Sequence, residues 1–260
     1  MTRFFRVEHR GTPRHAVEEA GAWKLVEGDI FGRFETGDTL PAGERRLLAP
    51  VEPSKIVAVG LNYKDHAAEQ NKPLPSEPLI FLKPSTAVIG PDEPIVLPEG
   101  IGRVDHEAEL GVVIGSQAWQ VSEEDAHQYV FGFTCVNDVS ARVLQAKDGQ
   151  FTRAKGFDTF APLGPCIASG LPYDTEDGIS VEAWVNGTCR QSSTTRELIF
   201  GIDKLIAFIT AVMTLLPGDV ISTGTPAGVA PLQPGDSVTI KVGGVGELTN
   251  PVGLAVRMKR

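Results

Sequence analysis

The sequence predicts a strand-rich α+β fold with a mixed, barrel-like β core, on three observations. Apolar runs of strand length outnumber helical patterns. These runs do not alternate with helices in the rhythm of a doubly wound sheet. Glycine (28) and proline (19) are frequent enough among the 260 residues to supply the turns of such a fold.

Residues 1–50 read as a small, turn-rich N-terminal domain, with apolar pieces at Phe4-Phe5, Trp23 to Val26 and Ile30-Phe31. Pro50-Val-Glu-Pro53 is the expected hinge into a larger domain, 51–260. There, Lys55 to Gly60 has the continuous apolar character of a buried strand. A short polar helix is predicted over Leu61 to Glu69, and the proline-rich run Gln70 to Pro78 predicts a loop after it. Leu79 to Lys83 and Pro94 to Pro98 follow as strands. Ser122-Glu-Glu-Asp125 has a capping-box pattern, which predicts a helix to Val130. Thr194-Thr-Arg-Glu197 repeats that pattern ahead of Leu198, Ile202, Leu205, Ile206, Ile209, Val212, Met213 and Leu216. Their three- and four-residue spacing predicts the clearest helix of the chain, stopped at Pro217-Gly-Asp219. Val220 to Gly228 and Ser237 to Val242 are β with glycine-rich turns.

A net charge of −9 argues against nucleic acid and anionic membrane surfaces as partners. An acidic substrate would therefore need a local positive site. Three scattered cysteines with no CxxC pair point to reduced thiols and a cytoplasmic setting. The opening MTRFFRVEHRG lacks the apolar core of a signal peptide. The longest apolar stretch, Leu205 to Leu216, is too short to span a bilayer.

The chemistry is concentrated between Val104 and Asp158. Glu107 and Glu109 precede the apolar run Leu110 to Ile114. Two residues apart on a strand, they point the same way, about 6.5–7 Å apart at Cα. A second apolar run, Phe131 to Val136, ends in Asn137-Asp138, so Asp138 can add a third oxygen from a neighbouring strand end. Such a donor set favours a hard divalent cation, Mg2+ or Mn2+. An exposed strand face with Asp138 as a helix cap is the alternative, which the apolar surroundings oppose. His66 and Glu69, at i and i+3, form a carboxylate–imidazole pair suited to activating water, or else a solvated helix contact. A helix starting at Asp138 would put Arg142 and Gln145 on its side. Lys155 sits among small residues in Arg153-Ala-Lys-Gly, and Gly224-Thr-Pro-Ala-Gly228 offers amides and the Thr225 hydroxyl in a tight turn.

Several long motifs occur together and in order: VGLNYKDHAAE (59–69), FLKPSTAVIG (81–90), DHEAELGVVIG (105–115), VNDVSARVLQ (136–145), RAKGFDTFAPLGP (153–165) and LLPGDVISTGTPAGV (215–229). Over residues 51–252 the chain resembles the fumarylacetoacetate hydrolase family. The nearest likeness is to the compact bacterial branch with acylpyruvate hydrolases, oxaloacetate decarboxylases and 2-hydroxyhepta-2,4-diene-1,7-dioate isomerases. The resemblance implies a mixed β-roll, a homodimer and one Mg2+ or Mn2+ held by Glu107, Glu109 and Asp138. It implies that His66 and Glu69 form a water-activating dyad on a lid, that Lys155 is catalytic, and that Arg142, Gln145 and Thr225 contact substrate. The first 50 residues carry no usable signature of that family. The implied substrate is a small anionic 2-oxo acid. Hydrolysis of an acylpyruvate, decarboxylation and isomerisation can all run in such a site, and a non-catalytic ligand-binding protein on the same fold is the remaining alternative.

Overall fold

The apolar runs pair into two large sheets, with a separate two-stranded ladder, in a computed structural model, which describes residues 1–255. The larger sheet has twelve strands. Its central path runs Thr2–His9, Ala161–Ser169, Val130–Asn137, Ala108–Ile114, Val220–Ser222, Ile56–Gly60 and Leu79–Lys83, with the last at an edge. A smaller sheet of five strands, led by Thr188–Thr194, Ser180–Val185 and Ser237–Val242, packs beside it. Every residue of Ala108–Ile114 is buried. Leu110 and Val112 join one apolar cluster with Val181, Ala183 and Ile240 of the smaller sheet. Val113 joins another with Val136, Leu163 and Ile167. Burial on both faces explains why this stretch reads as a continuous apolar run. The strand-rich roll expected from the sequence is the fold observed.

Residues 2–48 form strands that continue the larger sheet, because Thr2–His9 pairs antiparallel with Ala161–Ser169. Phe4 and Val17 thereby enter the same cluster as Val113 and Ile167.

Among the described residues four short α-helices decorate this frame: α1 (Lys64–Glu69), α2 (Arg142–Asp148), α3 (Thr152–Lys155) and α4 (Ile202–Thr210). Two helical expectations need correction. The run from Leu198 to Leu216 is helical only in α4, because tertiary bonds take its ends. The Ile199 amide donates to the Asn62 carbonyl at 2.8 Å, and Phe200 donates to the Asn62 side chain at 2.8 Å. Beyond Thr210 the chain turns away, and Leu215 bridges to Ala118 instead. After Ser122, the hydroxyl does bond Asp125 as in a capping box, but only a 3-10 turn, Ala126–Tyr129, follows. No described helix is long and apolar enough to cross a membrane.

Candidate active site

Strand register brings the three expected carboxylates together. Ala108 pairs with Asn137 and Glu109 with Val136 on the neighbouring strand. Continuing that ladder, the Asp138 amide donates to the Glu107 carbonyl at 2.9 Å, so these residues lie side by side. Carboxylate oxygens of Glu107, Glu109 and Asp138 lie within 4.8 Å of one another, and all three residues are buried. This close, all-oxygen set fits a hard divalent cation. Asp138 itself is not helical: α2 begins at Arg142, after Ser140–Ala141 pairs with Val104–Asp105, which corrects the expected helix start.

Cations surround the cluster. Lys155, at the end of α3, donates to Glu107 at 2.6 Å and also to Asp138. Arg142 pairs with Glu107 at 2.6 Å and with Asp105 at 2.8 Å. Lys83, fully buried, bonds the other oxygen of Asp138. These contacts give the two glutamates opposite proton affinities. Burial works to raise the Glu107 carboxyl, but Lys155 and Arg142 outweigh it and hold that group well below the usual carboxylate range. Burial, with the charges of Asp138 and Glu107, pushes Glu109 up to about 8. Glu109 instead takes neutral donors, the Ser222 hydroxyl and the Gly224 amide at 2.9 Å. Burial opposes the charge on Lys155, yet Asp138, Glu107 and Glu109 raise its pKa. For Lys83, burial prevails over Asp138 and lowers it.

A cavity of about 570 Å³ opens over this cluster. His66, Glu107, Glu109, Arg142, Gln145, Lys155 and Thr225 all line it. Of the other expected residues, Glu69 stands behind His66, and Asp138 lies beneath the wall, fully buried. His66 Nδ1 lies 3.0 Å from Glu69 Oε2. A carboxylate only accepts, so Nδ1 carries the hydrogen, and Nε2 keeps the basic lone pair. The Gln70 amide donates to that Nε2 at 2.6 Å. Glu69 is fixed in turn by the Gly228 amide at 3.1 Å. The base of α1 is tied down as well, because Asn62 donates to the carbonyls of Phe200 and Thr223.

The orientation of two polar side chains follows from partners that cannot switch roles. Arg142 Nη1 donates to Gln145 Oε1 at 2.9 Å, which leaves the Gln145 amide hydrogens for other partners. The Ala108 amide donates to Gln191 Oε1 at 2.9 Å, so Gln191 Nε2 must donate to the Thr225 hydroxyl oxygen at 2.8 Å. Thr225 then has one hydrogen, directed at the Ala108 carbonyl at 2.9 Å.

Sequence reasoning missed Lys83, Asp105, Arg103 and Gln191. Lys83 had a faint signal, lying two residues from Phe81 and so on the buried face of a strand. Asp105 and Arg103 flank Val104 just before the glutamates, a cluster that was readable as one site. Gln191 had none, since its partners lie 83 and 34 residues away.

The family model for fumarylacetoacetate (FAA) hydrolase C-terminal matches residues 55–253. The chain belongs to the fumarylacetoacetate hydrolase family. Residues 2–50 match a second model, Rv2993c-like, N-terminal. Protein Rv2993c of Mycobacterium tuberculosis is 50% identical over 235 residues, 90% of this chain and 88% of its own. The 2,4-didehydro-3-deoxy-L-rhamnonate hydrolase of a Sphingomonas species is 42% identical over 211 residues, 80% of this chain and 74% of its own. Among solved structures, 2-hydroxyhepta-2,4-diene-1,7-dioate isomerase from Mycobacterium marinum superposes with a TM-score of 0.91 at 40% identity. That match covers 99% of this chain and 100% of the other. Members of this family are enzymes.

Proposed function

We propose that this family member is a Mg2+- or Mn2+-dependent enzyme that hydrolyses the C–C bond of an acylpyruvate-type 2-oxo acid. The observation that carries the reading is the His66–Glu69 pair, already formed on the wall of the cavity that Glu107 and Glu109 also line; the Gln70 amide on His66 Nε2 marks the position a water takes when Gln70 turns away. Glu107, Glu109 and Asp138 would hold the divalent ion. When bound, that ion supplies Lewis-acid stabilisation for negative charge developing on the 2-oxo acid.

The protein's own groups account for the remaining steps. His66 Nε2 takes a proton from water, and Glu69 steadies the imidazolium that results. The water oxygen bonds to the distal acyl carbonyl carbon. The bond from that carbon to the pyruvate methylene then breaks, and its electron pair stays on the methylene carbon. His66 returns its proton there, giving pyruvate and a carboxylic acid. The Gln145 amide donates to an oxygen of the substrate; Thr225, whose hydrogen is held by the Ala108 carbonyl, lines the cavity beside it, and Lys155 holds Glu107 in place. We further propose a homodimer, following the family resemblance; sedimentation at the chain mass of 27.8 kDa, and not twice it, would count against this.

Release of pyruvate from acetylpyruvate tests the reading. Activity that disappears in EDTA and returns with Mg2+ supports it. Full hydrolysis after chelation, or turnover of oxaloacetate alone, would overturn the assignment in favour of a metal-free hydrolase or of a decarboxylase or tautomerase.

A further inference from the structure

Arg142, the arginine expected to meet substrate, lines the cavity and is tied to three neighbours. Nε bonds Asp105, Nη1 bonds Gln145 and Nη2 pairs with Glu107. Arg103 stands differently. Its Nε and Nη2 grip Asp105 in a fork at 2.7 and 3.0 Å, and no other partner takes its guanidinium among the described residues. The Arg103 side chain is 53% exposed while Asp105 is buried, so the opposite edge of the guanidinium is open. Arg103 lines the cavity.

Glu107, Arg142, Asp105 and Arg103 thus form a chain of alternating charge from the carboxylate cluster outward. The backbone holds this chain still, since the Arg142 amide donates to the Arg103 carbonyl at 2.9 Å. Asp105 is shared by two arginines and remains paired with Arg142 when Arg103 is altered. Lys72 lines the same cavity and adds a second positive charge to its wall.

We infer that Arg103 is a specificity-determining residue: its open guanidinium edge binds an anionic group at the end of the substrate remote from the 2-oxo acid. This rests on the 2-oxo acid reading above and narrows it to dianionic substrates. An oriented guanidinium is the natural receptor for a carboxylate, because its parallel hydrogens match two oxygens. The carboxylate cluster already has matching cations in Lys83, Lys155 and Arg142. Arg103 is therefore not needed to neutralise it.

The test pairs binding with turnover. Calorimetry on the Mg2+-loaded protein compares 2-oxoglutarate, which has a far carboxylate, with pyruvate, which lacks one. The wild type should prefer 2-oxoglutarate, and Arg103→Gln should cut that preference about ten- to a hundred-fold, the range for a charge-assisted hydrogen bond. Arg103→Lys should restore part of it, which lost packing alone would not do. In turnover, the ratio of kcat/KM for succinylpyruvate over acetylpyruvate should fall similarly in Arg103→Gln. A wild type with no preference, or a preference that survives Arg103→Gln, overturns the inference. A protein that hydrolyses neither acylpyruvate but shows the Arg103-dependent binding preference overturns the hydrolase reading and leaves the role of Arg103 standing.

Discussion

Glu107 and Glu109 were legible because carboxylates stand out inside an apolar strand. Their difference was not, because it depends on which neighbours reach them. Lys155 and Arg142 converge on Glu107, whereas Glu109 meets a hydroxyl and an amide. This contrast has a measurable consequence. With its pKa pushed up to about 8 by burial and the neighbouring carboxylates, Glu109 should hold a proton at pH 7 in the metal-free protein. An incoming cation must displace that proton, so affinity for Mg2+ should weaken as pH falls through this window. Calorimetry at pH 7 in two buffers of different ionisation enthalpy should find nearly one proton released per ion. Release of none would show Glu109 already ionised. Lys83 matters at the same scale. Asp138→Ala leaves this fully buried ammonium without its carboxylate, a change that typically costs about 3–5 kcal/mol. Urea unfolding should show a loss of that order, and Lys83→Met in the same background should recover much of it. An unchanged midpoint for Asp138→Ala would mean the pair contributes little.

Elements were legible where local pattern and tertiary contacts agreed. Leu79–Lys83 and Ser237–Val242 are strands, as their sequence predicts. Helix α4 is shorter than its periodicity because Asn62, far away in sequence, captures the amides of Ile199 and Phe200. A side chain that interrupts one helix to anchor another cannot be read from either stretch alone. The same residue fixes the base of α1, which carries His66. Asn62→Ala should therefore leave buried backbone groups unpaired and destabilise the protein by about 1–3 kcal/mol. Hydrogen exchange should quicken in residues 61–70 before it does in Ala108–Ile114. Equal protection in the two segments would show that α1 is held by other contacts.

At the scale of the whole molecule, the ordered motifs located the site because all but the one at 81–90 bring a residue to the wall of one cavity. Glu107 and Glu109 come with one strand, Asp138 with its neighbour, Thr225 with the turn after a third, and His66 with the helix after a fourth. What went unread, despite faint local signals, was the second ring of charge, Lys83, Asp105 and Arg103. Its members mean little until the strands are paired. The roll thus presents one base, one acidic cluster and one anion-receptive wall to a single space.

The central claim is that His66 generates the nucleophile for C–C hydrolysis. The most direct measurement is kcat/KM of His66→Ala for acetylpyruvate, set against its rate of oxaloacetate decarboxylation in the same Mg2+-containing buffer. Losing a general base typically costs about 10²–10⁴-fold. Hydrolysis should fall by that order, decarboxylation by much less, and Glu69→Gln should lie between the wild type and His66→Ala. Hydrolysis that survives His66→Ala, or an equal collapse of both reactions, would contradict the account.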